Sequence, residues 1–214
     1  NQDINSIGFA SNNGIGCIDG FSLSELPKPD LIDNVLNQTI ARQKQVLASQ
    51  VANAYPSGLW RREDFALGAY WLDMETATAD ADLIACQTNG LYQASIDEHG
   101  FHWHAYLQAR IYLLFSSRSD FFPGRMSVDA ENAVLEMLWE WAAPSCDIDM
   151  ANPEHVNWIW GSENHHVQSW ASFWSAAQIF KDHPDYQGRT YADGSTPAEM
   201  SKAFDALADY LKRP

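Results

Sequence analysis

Three features of the sequence predict an all-α fold built of antiparallel helical hairpins. From Asp30 onward, apolar residues recur at three- and four-residue steps, the spacing of one face of a helix. Helix-start chemistry stands ahead of several of these runs, at Ser127, Ser162 and Thr196. No stretch alternates apolar and polar residues with the period of two that a half-buried strand requires. Packed in succession, such hairpins form a bundle, a solenoid or a closed ring of paired helices, and periodicity alone does not choose among them.

The opening sixteen residues are rich in Asn, Ser and Gly without periodicity, so residues 1–29 are expected to form an irregular arm ahead of a helical, catalytic-like domain spanning 30–214. The first helix follows the stop at Pro27-Lys28-Pro29, and Ile32, Val35, Leu36, Ile40, Leu47 and Val51 form its apolar stripe. A second begins near Glu63, where Phe65, Ala66, Ala69, Tyr70 and Leu72 make it apolar on most sides. A third runs from Thr78 toward Ile96 and is broken at Asn89-Gly90. Gly100 ends that stretch, Trp103–Ser116 is read mainly as helix, and Phe122-Pro123-Gly124 closes the segment with turn chemistry. Ser127 then caps a helix whose Val134, Met137, Leu138 and Trp141 share a face, until Pro144 stops it. Beyond a polar loop, Ser162 caps a helix carrying Val167, Trp170, Ala171, Trp174, Ala177 and Gln178. In the final helix Thr196-Pro197-Ala198-Glu199 combines a capping box with proline at the first helical position, and Met200, Phe204, Leu207 and Leu211 supply the stripe. About seven helices of ordinary length result. Their loops grow long and polar near the aromatic clusters, and loops of that kind usually build a site.

Composition narrows the partners. Thirteen Lys and Arg against 28 Asp and Glu leave a net charge of −15, which opposes the attraction to phosphate behind nucleic-acid and anionic-membrane binding. Neither nucleic acid nor membrane is therefore an expected partner. The 214 residues, 46% of them apolar, suffice for one buried core. No run reaches the ~18–20 apolar residues of a membrane span, and the expectation is a soluble chain that has lost any signal peptide. Cys17, Cys86 and Cys146 are widely spaced and odd in number, so they form neither a disulfide framework nor a CxxC motif.

Two constellations carry chemistry. In His99-Gly-Phe-His102-Trp-His104-Ala-Tyr106-Leu-Gln-Ala-Arg110, the four-residue steps place His102, Tyr106 and Arg110 on one helical face, whereas His104 points elsewhere. A base, a phenol and a fixed cation thus share a side. The second constellation is Trp158-Ile-Trp160-Gly-Ser162-Glu163-Asn164-His165-His166. With Ser162 as the cap, Glu163, Asn164 and His165 occupy a first helical turn, whose unpaired N–H groups and positive dipole end favour a carboxylate or a developing oxyanion. Packing accounts for part of both patterns, with Tyr106 and Trp103 as core aromatics, Arg110 as a surface cation and Glu163 as a dipole-complementing charge.

Metal ligation is not expected, because adjacent histidines on a helix diverge by about 100° and His165 and His166 do not easily share an ion. No cofactor is expected either. A serine or cysteine nucleophile is disfavoured, since no Gly-x-Ser-x-Gly elbow occurs and no cysteine lies in a histidine-rich segment. Among nine tryptophans, Trp60, Trp103, Trp158 and Trp160 stand beside Arg, His or Asn and suit stacking on a sugar ring. Arg61, Arg62, Arg118 and Arg125 read singly as solvated surface cations.

The order Arg62-Glu-Asp-Phe-Ala-Leu-Gly-Ala-Tyr70, Tyr112-Leu-Leu-Phe115, Phe122-Pro-Gly-Arg125, Trp139-Glu-Trp141-Ala, Ser162-Glu-Asn-His165 and Tyr191-Ala-Asp-Gly194 resembles bacterial proteins of the α/α-toroid type, over about residues 60 to 214. Those proteins are similar in architecture to the α/α-toroid polysaccharide lyases and glycosidases, and Asn164-His165 is similar to the Asn-His pair that alginate-lyase toroids place at their site. The resemblance implies a toroid-like fold in which Asn164 and His165 neutralise a uronate carboxylate while His102 or Tyr106 handles protons. Arg110, Glu163, Trp103, Trp158, Trp160 and His166 are the expected substrate contacts.

A full toroid of six helical pairs needs more helices than these. The expectation is therefore an N-terminal part of such an enzyme, completed by a second chain, or a smaller protein of similar motifs. The function expected is β-elimination on a uronate-containing polysaccharide, in a secreted or periplasmic protein. The alternatives are a glycoside hydrolase with Glu163 as general acid, paired with Asp73 or Asp97, and a non-catalytic sugar-binding subunit.

Overall fold

The computed structural model describes residues 6–11, 14–19, 29–53, 59–89, 91–92, 101–155 and 163–212. The chain divides into two compact units, residues 1–46 and 47–214. In the first unit, β1 (Ser6–Ser11) and β2 (Gly14–Asp19) pair antiparallel, with Ile7 opposite Ile18 and Ser11 opposite Gly14. The expected irregular arm thus contains a hairpin. Its alternation is concealed by Gly8, Gly14 and Gly16, and the two residues between the strands match the length of a tight hairpin connection. Helix α1 (Pro29–Asn53) opens on proline at a position where its missing N–H costs nothing. Ile32, Val35, Leu36, Ile40 and Val46 are exposed, so the apolar stripe faces solvent along this part of the helix.

The second unit holds α2 (Leu59–Leu72), α3 (Thr76–Thr88), α4 (Phe101–Phe115), α5 (Val128–Ser145), α6 (Glu163–Phe180) and α7 (Pro197–Leu211). Short 3-10 turns at Ile148–Ala151 and Pro153–His155 follow α5. Helix α4 is central. It packs against α2, α5 and α6, while α3 lies against α2 and α5, and α7 against α6. Among the described residues, the regular structure outside the N-terminal hairpin is therefore helical. Tyr70, Ile111, Phe115, Leu135, Leu138 and Phe180 are fully buried between these helices. Each such side chain contributes roughly 1.5–3 kcal/mol by leaving water.

Helix ends show why these boundaries fall where they do. Helix α2 stops in a Schellman motif: Asp73 takes a left-handed φ of 57°, and the N–H of Met74 donates to the carbonyl of Ala69 at 2.9 Å. The Arg125 guanidinium donates to the Tyr70 and Trp71 carbonyls at that end. Arg125 is thus a helix cap, and Arg62 pairs with Asp82, so neither is the solvated cation expected from the sequence. The Tyr70 hydroxyl donates to Asp80 Oδ1 at 2.6 Å, linking α2 to α3.

Ser127 caps α5, accepting from the N–H of Ala130 at 3.3 Å. Pro144 sits within the last turn of α5 instead of ending it one residue earlier. There it forfeits a single backbone bond, and the N–H of Cys146 closes the turn onto Ala142 at 2.8 Å. The capping box of α7 is complete: Thr196 Oγ1 accepts from the N–H of Glu199, and Glu199 Oε2 accepts from the N–H of Thr196 at 2.8 Å. Thr196→Ala should destabilise the protein by about 1 kcal/mol, measured by urea unfolding. No change in the midpoint would mean that the box contributes nothing.

Candidate functional site

The packing of α4 on α6 sets the site, because it brings two histidines distant in sequence into ring contact. The His102 and His165 ring centroids lie 4.9 Å apart, and Trp103 joins them at 5.1 and 5.4 Å. The contact is fixed from α6 by Ser172, whose hydroxyl donates to the carbonyl of His102 at 2.6 Å. His102 is only 4% exposed, whereas His165 and its neighbour Asn164 are exposed in the first turn of α6. The result is a surface imidazole backed by a buried one and bordered by an indole. Tyr106 is half-buried, one turn along α4 from His102.

Other expected site residues lie elsewhere. Arg110 stands eight residues beyond His102, about 12 Å along the helix axis. It lines a separate groove with Asp64, Phe65 and Trp71. Sharing a helical face is not the same as sharing a site. His166 is buried and turned away from His165, with its ring 4.3 Å from that of Trp170. Burial lowers its pKa below the usual imidazole value. Trp158, Trp160, His99 and Ser162 lie outside the described residues, as does the Glu163 side chain.

His104 diverges from His102, as its two-residue offset on a helix requires. Its Nδ1 lies 2.7 Å from Glu63 Oε2 on α2, and Gln108 Nε2 donates to Glu63 Oε1 at 2.9 Å. All three side chains are buried. Burial pushes the Glu63 carboxyl up to about 6, while the bonds from His104 and Gln108 pull it down. The network ties α2 to α4 through buried polar groups.

A second group was not singled out in the sequence. Asp149 Oδ2 lies 2.8 Å from His155 Nδ1, and Asp149 Oδ1 accepts from Asn152 Nδ2 at 3.2 Å. Both residues line a cavity of about 310 Å³ that His166 also faces. The Asp147-Ile-Asp149 sequence held the available signal, since Asp147 Oδ1 caps the following 3-10 turn by accepting from the N–H of Asp149 at 2.9 Å. Among the described residues, no three His, Cys, Asp or Glu side chains are grouped to hold a metal ion.

No helix among the described residues is long and apolar enough to cross a membrane. Comparison with protein-family models, curated proteins and solved structures finds no match to this chain. An exposed imidazole and amide at a helix N-terminus can bind an oxyanion, and a nearby phenol can exchange a proton.

Proposed function

We propose that this protein is a carbohydrate-active enzyme that cleaves a uronate-containing polysaccharide by β-elimination, its helical hairpins belonging to an α/α toroid. The observation that supports this reading is the cluster of His102, Trp103 and His165 beside Asn164, at the anion-favouring first turn of α6. Asn164 and His165 hold the uronate carboxylate. Trp103 offers an apolar face to a sugar ring, and buried His102 positions His165.

In the reaction, a base removes the proton from the carbon bearing the carboxylate. The electron pair spreads onto the carboxylate as an enolate, then forms a carbon–carbon double bond as the glycosidic oxygen leaves with a proton. Hydrogen bonds from Asn164 and His165 strengthen as negative charge develops, which is where catalysis gains most. Tyr106 supplies the proton-handling group, since a phenol can take or return a proton at the reacting bond. A polymer of this kind is met outside the cytoplasm, so the protein acts as a secreted or periplasmic enzyme. Incubation with alginate, glucuronan, hyaluronan and ulvan tests the reading. Ultraviolet absorbance from an unsaturated uronate is expected to rise with at least one of them, and absence of a rise with all four, from folded protein, contradicts it.

A further inference from the structure

The cavity beside α6 is amphipathic in the way a sugar ring is. Its lining includes the polar Asp147, Asp149, His155 and His166 and the apolar Met150 and Phe173. Its volume of about 310 Å³ is at the low end for ligand pockets, which span roughly 300–1,000 Å³. The space therefore suits one ring better than an oligomer. Phe173 is held flat against Trp141, with ring centroids 4.3 Å apart and planes within 7°, so the apolar wall is rigid. The polar wall is also organised before any ligand arrives, because Asp149 is fixed by Asn152 and placed against His155.

Charge and position give the cavity a specificity. Two aspartates face it, and no Lys or Arg is among its described lining residues. Burial lowers the His166 pKa and so favours its neutral form. A carboxylate-bearing ring would be repelled there, whereas hydroxyl or amino groups would find acceptors. His166 directly follows His165 in the chain, one Cα step of about 3.8 Å. The cavity thus adjoins the first turn of α6 on the side away from the His165 ring.

We propose that this cavity is a binding subsite for a sugar ring without a carboxylate, so that the preferred polymer alternates uronates with uncharged or amino sugars. The placement relative to the reacting uronate rests on the lyase reading; the cavity's preference for a carboxylate-free ring does not.

The test separates the two. Saturation-transfer nuclear magnetic resonance with the methyl glycosides of glucose, glucosamine and glucuronic acid reads binding without turnover. The first or second is expected to bind and the glucuronide to bind at least about tenfold more weakly, with Asp149→Asn weakening the preferred glycoside by about tenfold. Binding of neither carboxylate-free glycoside, equal binding of the glucuronide, or binding unchanged in folded Asp149→Asn overturns the proposal. In turnover, Asp149→Asn should raise KM on hyaluronan and lower it on glucuronan, since the change removes a charged acceptor and a charge that repels carboxylates. Glycoside binding without any polymer cleavage would retain the subsite and reject the lyase reading.

Discussion

His165→Ala is expected to lower kcat/KM on a cleaved uronate polysaccharide by about 10²–10³, the usual loss when one donor to a developing oxyanion is removed. The fall should lie mainly in kcat, because the hydrogen bond to the carboxylate is stronger in the enolate-like transition state than in the bound substrate. His165 is exposed, so truncation opens no large cavity and should change stability by no more than about 0.5 kcal/mol. Circular dichroism and thermal unfolding would separate a lost donor from a lost fold. Activity surviving within about tenfold, in folded protein, would remove His165 from the role assigned to it.

His104→Ala is expected to cost about 3 kcal/mol of stability at neutral pH, since it strands the Glu63 carboxylate in the core without its main partner. Glu63→Gln keeps a polar group of similar shape and should cost less. The pH dependence has a definite sign. Burial raises the Glu63 carboxyl from its usual 4.5 to about 6, with the bonds from His104 and Gln108 opposing that rise. Between those values the folded state binds more protons than the unfolded chain, so stability from this group is complete below about pH 4.5 and is lost as pH climbs through 6. A rise of that size corresponds to about 2 kcal/mol.

Urea unfolding of wild type and Glu63→Gln, at both ends of the window, measures this change. The wild type should lose about 2 kcal/mol relative to the variant on going from acid to neutral pH. A relative gain would mean that His104 holds the carboxylate ionised more strongly than burial opposes it.

Much of the helical architecture was legible because helix signals are local. The Ser127 cap and the box from Thr196 to Glu199 fall within four residues of the backbone groups they satisfy, and the structure shows both. The β1–β2 hairpin escaped because glycine takes the place of side chains that would have displayed the alternation.

At the candidate site, composition pointed to His102 and His165, but their 4.9 Å approach depends on α4 packing against α6, which no local pattern records. Arg110 lines a different groove because a shared helical face says nothing about separation along the axis. Asp149 and His155 meet across 3-10 turns too short to have a periodicity. Glu63 left only a faint signal, one of two adjacent carboxylates heading an apolar run, and its partner lies 41 residues away.

The central claim is that this protein breaks a glycosidic bond by elimination, not hydrolysis. Mass spectrometry of the products formed in heavy-oxygen water tests it most directly. Elimination predicts that neither fragment gains oxygen from the solvent, and that the fragment with the new non-reducing end bears a double bond and is lighter than its hydrolysis counterpart by one water. Heavy oxygen at the new reducing end, in fragments without unsaturation, would contradict the account and assign the site to a hydrolase.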